Sequence, residues 1–436
     1  MPNRRSFLGH AGATAAALGV IGAGRAFAAG VRPTPAWRPP SRAGTPEEVA
    51  RDEGYWTAVA RAYTVDRSIL NLNNGGVSPA PWPVQDAMRR HLEYSNSCPP
   101  PVSLWRVLEP QREAVRQAVA RQWGVDAEEI AFTRNASESL QICQLGLGLR
   151  PGDEVLTTTQ DYPRMITTFK QRARREGVVL KQFSIPTPCE DDDEIVRRFE
   201  AAMTERTRLM LMSHVTFTTG QVLPVKKVAA LARSRGVPLI VDGAHALAQL
   251  DYTIAELECD YYGVSLHKWL GAPHGTGLLY VRRDRIAGLW PMMAATEERN
   301  ADIRKFEEIG THPAANTLAV AEALAFHQAI GAKRREARLR YLKETWARRL
   351  LRDERVRLHT SLDPRYSGAI GTFEIRGLDP AKLDSHLWEK HRILVTGIAH
   401  EEFRGTRVTP NVYTSLEELE RFCEAVERVI RDGLPA

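Results

Sequence analysis

The sequence predicts an α/β fold with a mostly parallel β-sheet that is covered by helices on both faces. Short apolar segments alternate with amphipathic helical segments from about residue 130 onward, and this alternation is typical of strand–helix–strand units. The chain has 436 residues, of which 43% are hydrophobic and 26% are charged. This composition excludes a largely disordered protein, and the length suffices for two or three domains.

Residues 1–28 have the layout of a secretory signal peptide. Arg4 and Arg5 precede the residues SFL, a weakly apolar stretch rich in Ala and Gly follows, and AFA at 26–28 forms a small-x-small cleavage site. This order is typical of export signals, and the arginine pair resembles a twin-arginine (Tat) signal. We therefore expect a periplasmic or otherwise exported protein. No later stretch is apolar enough to span a membrane, so no membrane association is expected after processing.

The charge and the cysteines argue against several classes of function. The formal charge is +6, and it would fall to +3 once Arg4, Arg5 and Arg25 leave with the signal. No block of Lys and Arg with interleaved aromatic residues is present, so we expect no nucleic-acid partner. Five cysteines at irregular spacings form neither a disulfide framework nor a zinc-binding pattern, and no metal site is expected.

The patterning divides the rest of the chain into three parts. Residues 29–70 are predicted to form an N-terminal extension that includes a helix over 47–62. Residues 71–329 are predicted to form a large domain, and a long helix over 314–351 leads into a smaller α+β domain at 330–436. For the large domain we predict helices over 193–203 and 225–235, and strands over 130–133, 155–158, 178–183, 209–213, 239–242, 261–265 and 277–281.

Two predicted strand ends carry the side chains on which a catalytic hypothesis depends. The segment 239–245 reads LIVDGAH and ends its strand at Asp242, and 262–269 reads YGVSLHKW with Lys268 just after the next strand. Ligands bind at the carboxyl ends of strands in open α/β sheets. A lysine amine forms a Schiff base with the aldehyde of pyridoxal phosphate (PLP), and a carboxylate pairs with its protonated pyridine nitrogen. Either residue alone would pass for a strand cap or a surface lysine, but together they predict a PLP site.

A third element suits the phosphate of the same cofactor. The segment 132–140 reads FTRNASESL, in which a strand ends at small polar residues and a helix begins near Ser137. Backbone N–H groups at a helix N-terminus bind phosphate groups. Ser137 alone would be an ordinary capping residue, and the presence of Lys268 is what favours the phosphate hypothesis.

These motifs resemble those of the class V aminotransferases, which are fold type I PLP-dependent enzymes. The motifs are NASE at 135–138, VDGAH at 241–245 and SLHK at 265–268, and the resemblance extends from about residue 71 to 414. The most similar branch contains the isopenicillin N epimerases with their lyase and aminotransferase relatives. The resemblance implies the fold of a fold type I PLP-dependent transferase, bound PLP, a substrate similar to an amino acid, and a homodimer with active sites at the subunit interface.

The resemblance also implies a role for each matching residue. Lys268 is implied to be the Schiff-base lysine and the catalytic base, and Asp242 to be the partner of the pyridine nitrogen. Arg407 is implied to bind the substrate carboxylate, for which its planar guanidinium is suited, and Asn74 to lie in a substrate-contacting loop. The further residues implied to bind the cofactor are Ala136, Ser137, Tyr162, His245, Ser265, His267 and, toward the neighbouring subunit, Thr311.

The chain departs from the cysteine desulfurases of the same family. Those enzymes carry a reactive cysteine on a loop shortly before the carboxylate-binding arginine, whereas the corresponding segment 393–400 reads ILVTGIAH. Persulfide chemistry is therefore not expected. The Asn that desulfurases carry after the preceding strand is also missing from TFTTG at 216–220.

Three hypotheses about function remain open at this point. The first is an exported PLP enzyme that acts at the amine-bearing carbon of an amino acid or an amino-acid-containing metabolite, as an aminotransferase, an isopenicillin N epimerase-like enzyme, or a C–S or other β-lyase. The second is a catalytically inactive binding protein on the same fold, which the presence of both Lys268 and Asp242 argues against. The third is a nucleotide-dependent enzyme, but no GxGxxG or GxxxxGK[ST] loop follows an early strand.

Overall fold

The central element of the structure is a seven-stranded sheet in a large domain. The computed structural model describes residues 37–434, and the predicted signal peptide lies outside the described residues. The strands, in chain order, are β1 (Leu70–Asn71), β2 (Ile130–Thr133), β3 (Glu154–Thr158), β4 (Val179–Phe183), β5 (Thr207–Ser213), β6 (Leu239–Asp242), β7 (Tyr261–Ser265), β8 (Gly277–Val281), β9 (Val356–Leu358), β10 (Gly371–Ile375), β11 (Ile393–Leu394), β12 (Thr396–Ala399) and β13 (Arg404–Val408).

Fourteen α-helices of four or more residues accompany these strands in the described part of the chain. They are α1 (Pro46–Ala50), α2 (Glu53–Ala60), α3 (Trp82–Ser97), α4 (Glu109–Gln122), α5 (Ala136–Gly146), α6 (Pro163–Glu176), α7 (Asp192–Ala202), α8 (Val225–Ser234), α9 (Arg283–Ile286), α10 (Ala314–Leu318), α11 (Val320–Ile330), α12 (Ala332–Leu350), α13 (Pro380–His391) and α14 (Leu416–Asp432). A helical turn (Pro100–Val102) and a π-helical segment (Ser103–Leu108) lie between α3 and α4.

The large sheet is mostly parallel, as predicted. Its strand order is β2-β8-β7-β6-β5-β3-β4, and only β8 runs antiparallel to its neighbours. All seven predicted strands are present, and only β3, β4 and β5 differ from the predicted bounds, by one or two residues at their start. Ser213 is paired with Asp242, and Asp242 with Gly263, so the carboxyl ends of β5, β6 and β7 meet at one edge of the sheet.

Two stretches that were predicted as single helices are interrupted in the structure. The stretch 47–62 forms α1 and α2, because the Asp52 side chain caps the second helix by accepting a hydrogen bond from the Tyr55 N–H at 3.1 Å. The stretch 314–351 forms α10, α11 and α12. Gly331 separates the last two at a φ of 92°, a conformation that glycine adopts without steric cost. The predicted helices 193–203 and 225–235 correspond to α7 and α8, with bounds shifted by one residue.

A second, smaller layer of sheet and helices is formed mainly by the C-terminal part of the chain. Its four strands, in the order β12-β13-β10-β9, form an antiparallel sheet. Side chains from α12, α13 and α14 pack with this sheet in a hydrophobic core of their own. β1 pairs in parallel with β11, and Leu70 and Leu72 therefore lie in this second core, although they come from the N-terminal part of the chain.

The described residues contain no helix that combines the length and the hydrophobicity needed to cross a lipid bilayer. Within residues 37–434, no three His, Cys, Asp or Glu side chains are arranged to hold a metal ion. All five cysteines lie in this part of the chain as free thiols, and four of them are buried.

Candidate active site

A cavity of about 480 Å³ lies where the carboxyl ends of β5, β6 and β7 face the small domain. The ends of these strands supply polar side chains to one side of the cavity, and the β12–β13 hairpin of the small C-terminal layer supplies them to the other side. The predicted site residues that line it are Ala136, Ser137, Tyr162, Asp242, His245, Ser265, His267, Lys268 and Arg407. Residues from five separate parts of the sequence are thus brought into one site.

Lys268 lies in the cavity beside His245 and Asp242. The Lys268 Nζ atom is 3.1 Å from His245 Nε2, and His245 Nδ1 is buried without a hydrogen-bond partner among residues 37–434. The Asp242 Oδ1 atom accepts a hydrogen bond from the Ala244 N–H at 3.0 Å. None of the described residues donates to Asp242 Oδ2. The buried histidine nitrogen and the free carboxylate oxygen are therefore available to a ligand.

Burial shifts the pKa values of these three groups toward their neutral forms. Burial, opposed by the Asp242 carboxylate and assisted by the Arg407 guanidinium, lowers the pKa of Lys268 to about 8. Burial also raises the pKa of Asp242 and lowers the pKa of His245 well below its usual range. A lysine with this pKa is partly neutral near neutral pH, and only the neutral amine is a nucleophile or a base.

The first turn of α5 presents free donors to the cavity. The Asn135 side chain caps the helix by accepting from the Glu138 N–H at 2.9 Å, and the Ala136 N–H donates to Ser265 Oγ at 3.0 Å. The Ser137 side chain lines the cavity and has no hydrogen-bond partner in the described part of the chain. Because the positive end of the helix dipole lies here, this turn suits a phosphate group.

His267 lines the cavity near the first turn of α5, and Gly277 packs against the residue that caps this helix. His267 Nδ1 lies 3.1 Å from the Thr276 carbonyl oxygen. A carbonyl oxygen only accepts, so Nδ1 carries the proton and Nε2 remains for a ligand. Gly277 permits the close approach of the α5 cap, since a Cβ atom there would lie 2.6 Å from the Asn135 Cα atom.

Tyr162 and Phe217 form an aromatic wall of the cavity. Their ring centroids are 5.3 Å apart and the planes are inclined at 82°, and Tyr162 is 38% exposed. The ring is placed by the preceding residue, Asp161, whose buried carboxylate accepts from the Thr158 N–H at 2.8 Å and the Ser213 N–H at 2.7 Å. This carboxylate joins the ends of β3 and β5, and so directs Tyr162 at the start of α6 toward the cavity.

Arg407, on β13, is a buried cation that lacks a carboxylate partner among the described residues. It donates to Asn73 Oδ1 at 2.8 Å and to the Phe217 carbonyl at 2.9 Å, and its Nε atom is buried without a partner. Burial lowers its pKa to about 10. Because an isolated buried charge is costly and a guanidinium binds carboxylates bidentately, this arginine is suited to bind a carboxylate.

Two predicted site residues lie outside the cavity. Asn74 is fully buried, and its side chain is used within the protein: it donates to the carbonyls of Asn71 and Thr409 and accepts from the Tyr413 hydroxyl. The Asn74 side chain is thus occupied within the protein, while Gly75 and Gly76 of the same loop line the cavity, and the substrate contact of Asn74 stays a prediction. Thr311 lies in an exposed loop after Gly310 and does not line the cavity of its own chain, so its predicted contact with a neighbouring subunit stays a prediction.

The structure adds cavity residues that the motifs did not identify. Arg164, Phe217 and Thr396 line the cavity, and Asn73 holds Arg407 across 334 positions of sequence. The TFTTG segment at 216–220 did indicate a difference from desulfurases, but the sequence holds no signal for the pairing of Asn73 with Arg407. That pairing arises only because β1 leads into a loop beside β13, where Asn73 forms an isolated bridge with Thr409.

The family follows from comparison with known proteins. Residues 70–420 match the family model described as Aminotransferase class-V. The chain belongs to the class-V aminotransferase family. Isopenicillin N epimerase from Amycolatopsis lactamdurans is a similar protein, 33% identical over 393 residues that cover 86% of this chain and 98% of the relative.

Solved structures share the fold of this class-V enzyme. A cysteine desulfurase from Thermococcus onnurineus NA1 has a TM-score of 0.76 at 23% identity, covering 91% of this chain and 100% of the other. A C-DES mutant with glycine covalently linked to the PLP cofactor has a TM-score of 0.73 at 24% identity, covering 82% and 95%. At these identities the likeness establishes the fold type I architecture alone.

PLP is the cofactor of this class-V enzyme, and the residues present fit it. The free Asp242 oxygen, the unpartnered His245 Nδ1 atom and the donors at the start of α5 are the groups that a pyridine nitrogen, a ring hydroxyl and a phosphate require. Lys268 would hold the cofactor covalently, and Tyr162 would pack against its ring. When bound, PLP supplies an electron sink for chemistry at the carbon that bears the substrate amine.

Proposed function

We propose that this chain is an exported PLP-dependent enzyme that acts at the amine-bearing carbon of an amino acid or an amino-acid-containing metabolite, as an aminotransferase or an isopenicillin N epimerase-like enzyme. The observation that carries the proposal is the presence in one cavity of Lys268, with a pKa of about 8, and of the buried Arg407 without a carboxylate partner among the described residues. A base and a carboxylate clamp are the two groups that deprotonation of an amino acid at Cα needs.

Each residue then has a defined task. Arg407 binds the substrate carboxylate and fixes the orientation of the Cα–H bond. Lys268 Nζ takes the Cα proton and holds it, with His245 Nε2 at 3.1 Å as its neighbour. Asp242 would keep the pyridine nitrogen of bound PLP protonated, because a buried carboxylate favours a cationic partner. Delivery of a proton to the opposite face of the same carbon leads to epimerisation, whereas its delivery to the cofactor carbon rather than to Cα leads to transamination.

A C–S or other β-lyase is the alternative outcome of the same deprotonation. Against cysteine desulfurase chemistry stand the positions of the thiols: no cysteine lines the cavity, and four of the five are buried. Burial raises the pKa of Cys143, Cys189, Cys259 and Cys423, so these thiols are poor nucleophiles. An eliminating lyase needs no thiol, and therefore remains an alternative.

The experiment that tests the proposal is exchange of the Cα proton with D2O, followed by NMR. Every outcome of the mechanism requires loss of this proton, so holoenzyme is expected to introduce deuterium into at least one class of amino acid. Chiral chromatography and assays for keto acid and pyruvate then separate epimerisation, transamination and elimination. Lys268→Ala should abolish exchange, because it removes the base. Holoenzyme that exchanges no amino acid would favour the hypothesis of an inactive binding protein.

The proposal includes a homodimer with active sites at the subunit interface. It is supported by Thr311, which lies in an exposed loop outside its own cavity, and by the exposed apolar side chains Trp290, Met292 and Met293, of which Trp290 is 76% exposed. Apolar side chains clustered at a protein surface are typical of subunit interfaces.

A further inference from the structure

The cavity contains two guanidinium groups, and neither is paired with a carboxylate in the part of the chain that the structure describes. Arg407 contacts only neutral oxygens, those of Asn73, Phe217 and Thr396. Arg164 lines the same cavity from the first turn of α6. No side chain within residues 37–434 forms a hydrogen bond or an ion pair with the Arg164 guanidinium.

The charges that line the cavity do not balance. Among residues 37–434, its cationic side chains are Arg164, Lys268 and Arg407, and its only acidic side chain is Asp242. The proposed chemistry uses Lys268 and Asp242 toward the cofactor and Arg407 toward the carboxylate beside the reacting carbon. Arg164 has no task in that scheme. A cation left over in a cleft favours the binding of an additional negative charge.

Arg164 is an exposed side chain at the start of α6, on the rim of the cavity. The helix α6 has no acidic residue in its first turn, so this arginine faces the positive end of the helix dipole, where a cation is disfavoured. By contrast, the last turn of the same helix carries Arg174 and Arg175 at the negative end of the dipole, where cations are stabilised. An anion bound next to Arg164 would stabilise both the arginine and the helix terminus.

We propose that the substrate carries a second, distal anionic group, which Arg164 binds at the edge of the cavity while Arg407 binds the carboxylate beside the reacting carbon. The substrate class is then an acidic amino acid, or an amino acid extended to a terminal acid. This inference rests on the proposed function. The phosphate of the cofactor is the other source of negative charge near Arg164, and the experiment separates the two.

The experiment is a spectrophotometric titration of PLP-loaded enzyme with matched amino acids. Glutamate against glutamine and aspartate against asparagine, in both enantiomers, differ in charge with nearly equal size. The acid is expected to bind about tenfold or more tightly than its amide, as for a charge-assisted contact. Arg164→Gln should abolish this preference, and Arg164→Lys should retain part of it. Lys170→Gln is the matched control, because Lys170 is exposed on the same helix and does not line the cavity.

PLP retention after dialysis of the same variants identifies the source of the anion. Arg164→Gln that keeps its PLP and loses only the preference for acids supports the inference. Loss of PLP from Arg164→Gln, or equal weakening of acids and amides, would overturn it. Wild-type enzyme that exchanges the Cα proton of amides as fast as that of acids overturns the inference and leaves the proposed function intact. Enzyme that exchanges other amino acids but neither these acids nor these amides has the same consequence, whereas enzyme that exchanges no amino acid overturns both.

Discussion

Lys268 is the residue whose protonation state decides whether the site can bind its cofactor covalently. Burial lowers its pKa to about 8, the nearby Asp242 carboxylate raises it and the Arg407 guanidinium lowers it further. Above this pKa the amine is neutral and can attack the aldehyde, and below it the ammonium form cannot. Burial, together with the two flanking charges, therefore sets the pH range in which cofactor-free protein takes up PLP.

We predict that the rate of PLP uptake by cofactor-free protein rises with pH, with a midpoint near pH 8. Stopped-flow absorbance between pH 6 and 10 measures it. Asp242→Asn should move the midpoint to lower pH, since the ammonium loses its anionic partner, and Arg407→Gln should move it to higher pH, since a neighbouring cation is lost. Because titration of free PLP is common to all three proteins, equal midpoints would contradict the electrostatic argument.

Arg407 makes its own prediction at the residue scale. Its guanidinium is held by Asn73 Oδ1 and the Phe217 carbonyl, and its replacement by Lys removes the bidentate geometry. We expect Arg407→Lys to raise KM or Kd for the amino acid by about 10- to 100-fold, as for loss of a hydrogen bond to a charged group, with PLP content unchanged. Asn73→Ala should also raise KM or Kd for the amino acid, but by a smaller factor. Weaker PLP binding with unaltered KM would assign Arg407 to the cofactor instead.

At the scale of the element, the first turn of α5 contributes both to the stability of the fold and to the predicted phosphate site. Its Asn135 cap accepts from the Glu138 N–H, and the same turn presents Ser137 to the cavity. Loss of a side-chain cap costs about 1 kcal/mol of unfolding free energy. Here the loss also releases the backbone groups that would face the phosphate.

We predict that Asn135→Ala lowers the free energy of unfolding by about 1 kcal/mol and weakens PLP binding several-fold. Ser415→Ala is the control, since Ser415 caps α14 with a capping box and does not line the cavity. It should lower stability to a similar extent and leave PLP affinity unchanged. Denaturant unfolding and PLP titration of the two variants provide the comparison. An equal effect of both variants on PLP would show that general destabilisation, rather than the α5 turn, controls binding.

At the scale of the whole molecule, the proposed homodimer predicts complementation between two defective chains. Lys268→Ala removes the base, and Thr311→Asp would repel the phosphate of the PLP bound in the neighbouring subunit. If each site takes Lys268 from one chain and Thr311 from the other, a mixed dimer regains one intact site. Co-refolded equal amounts should recover up to about a quarter of wild-type activity. Activity no higher than that of either variant alone, in a confirmed heterodimer, would exclude shared sites.

Export is a further proposal about the whole molecule. A Tat route carries folded proteins, so an enzyme loaded with PLP in the cytoplasm would cross the membrane complete. We predict that Arg4→Lys with Arg5→Lys leaves active enzyme in the cytoplasm with residues 1–28 uncleaved. Cell fractionation with activity assays tests this, and a leaderless chain from residue 29 serves as the cytoplasmic control. Normal amounts of processed double variant outside the cytoplasm would contradict the role of the arginine pair.

Local patterns were sufficient to predict most of the scaffold and the chemistry beside it. The seven strands of the large sheet were predicted because each is a short apolar run, and Asp242 and Lys268 were recognised because they end such runs. The helix breaks at Asp52 and Gly331 were not predicted, because the amphipathic pattern continues through both positions. A side-chain cap breaks the helix at Asp52, and a positive φ breaks it at Gly331. Local sequence thus determines strands and strand ends better than the continuity of helices.

The sequence by itself determined the family motifs, the strands that end next to Asp242 and Lys268, and the prediction that Arg407 binds a carboxylate. Only the tertiary structure decided that Asn73 rather than Asn74 faces Arg407, that Phe217 stands against Tyr162, and that Arg164 lines the cavity. The physical reason is that these contacts join the loops after β1 and β5 to α6 and β13, which are distant in sequence. Their proximity follows from the packing of the whole chain, and no local pattern records which polar side chains will line the resulting cavity.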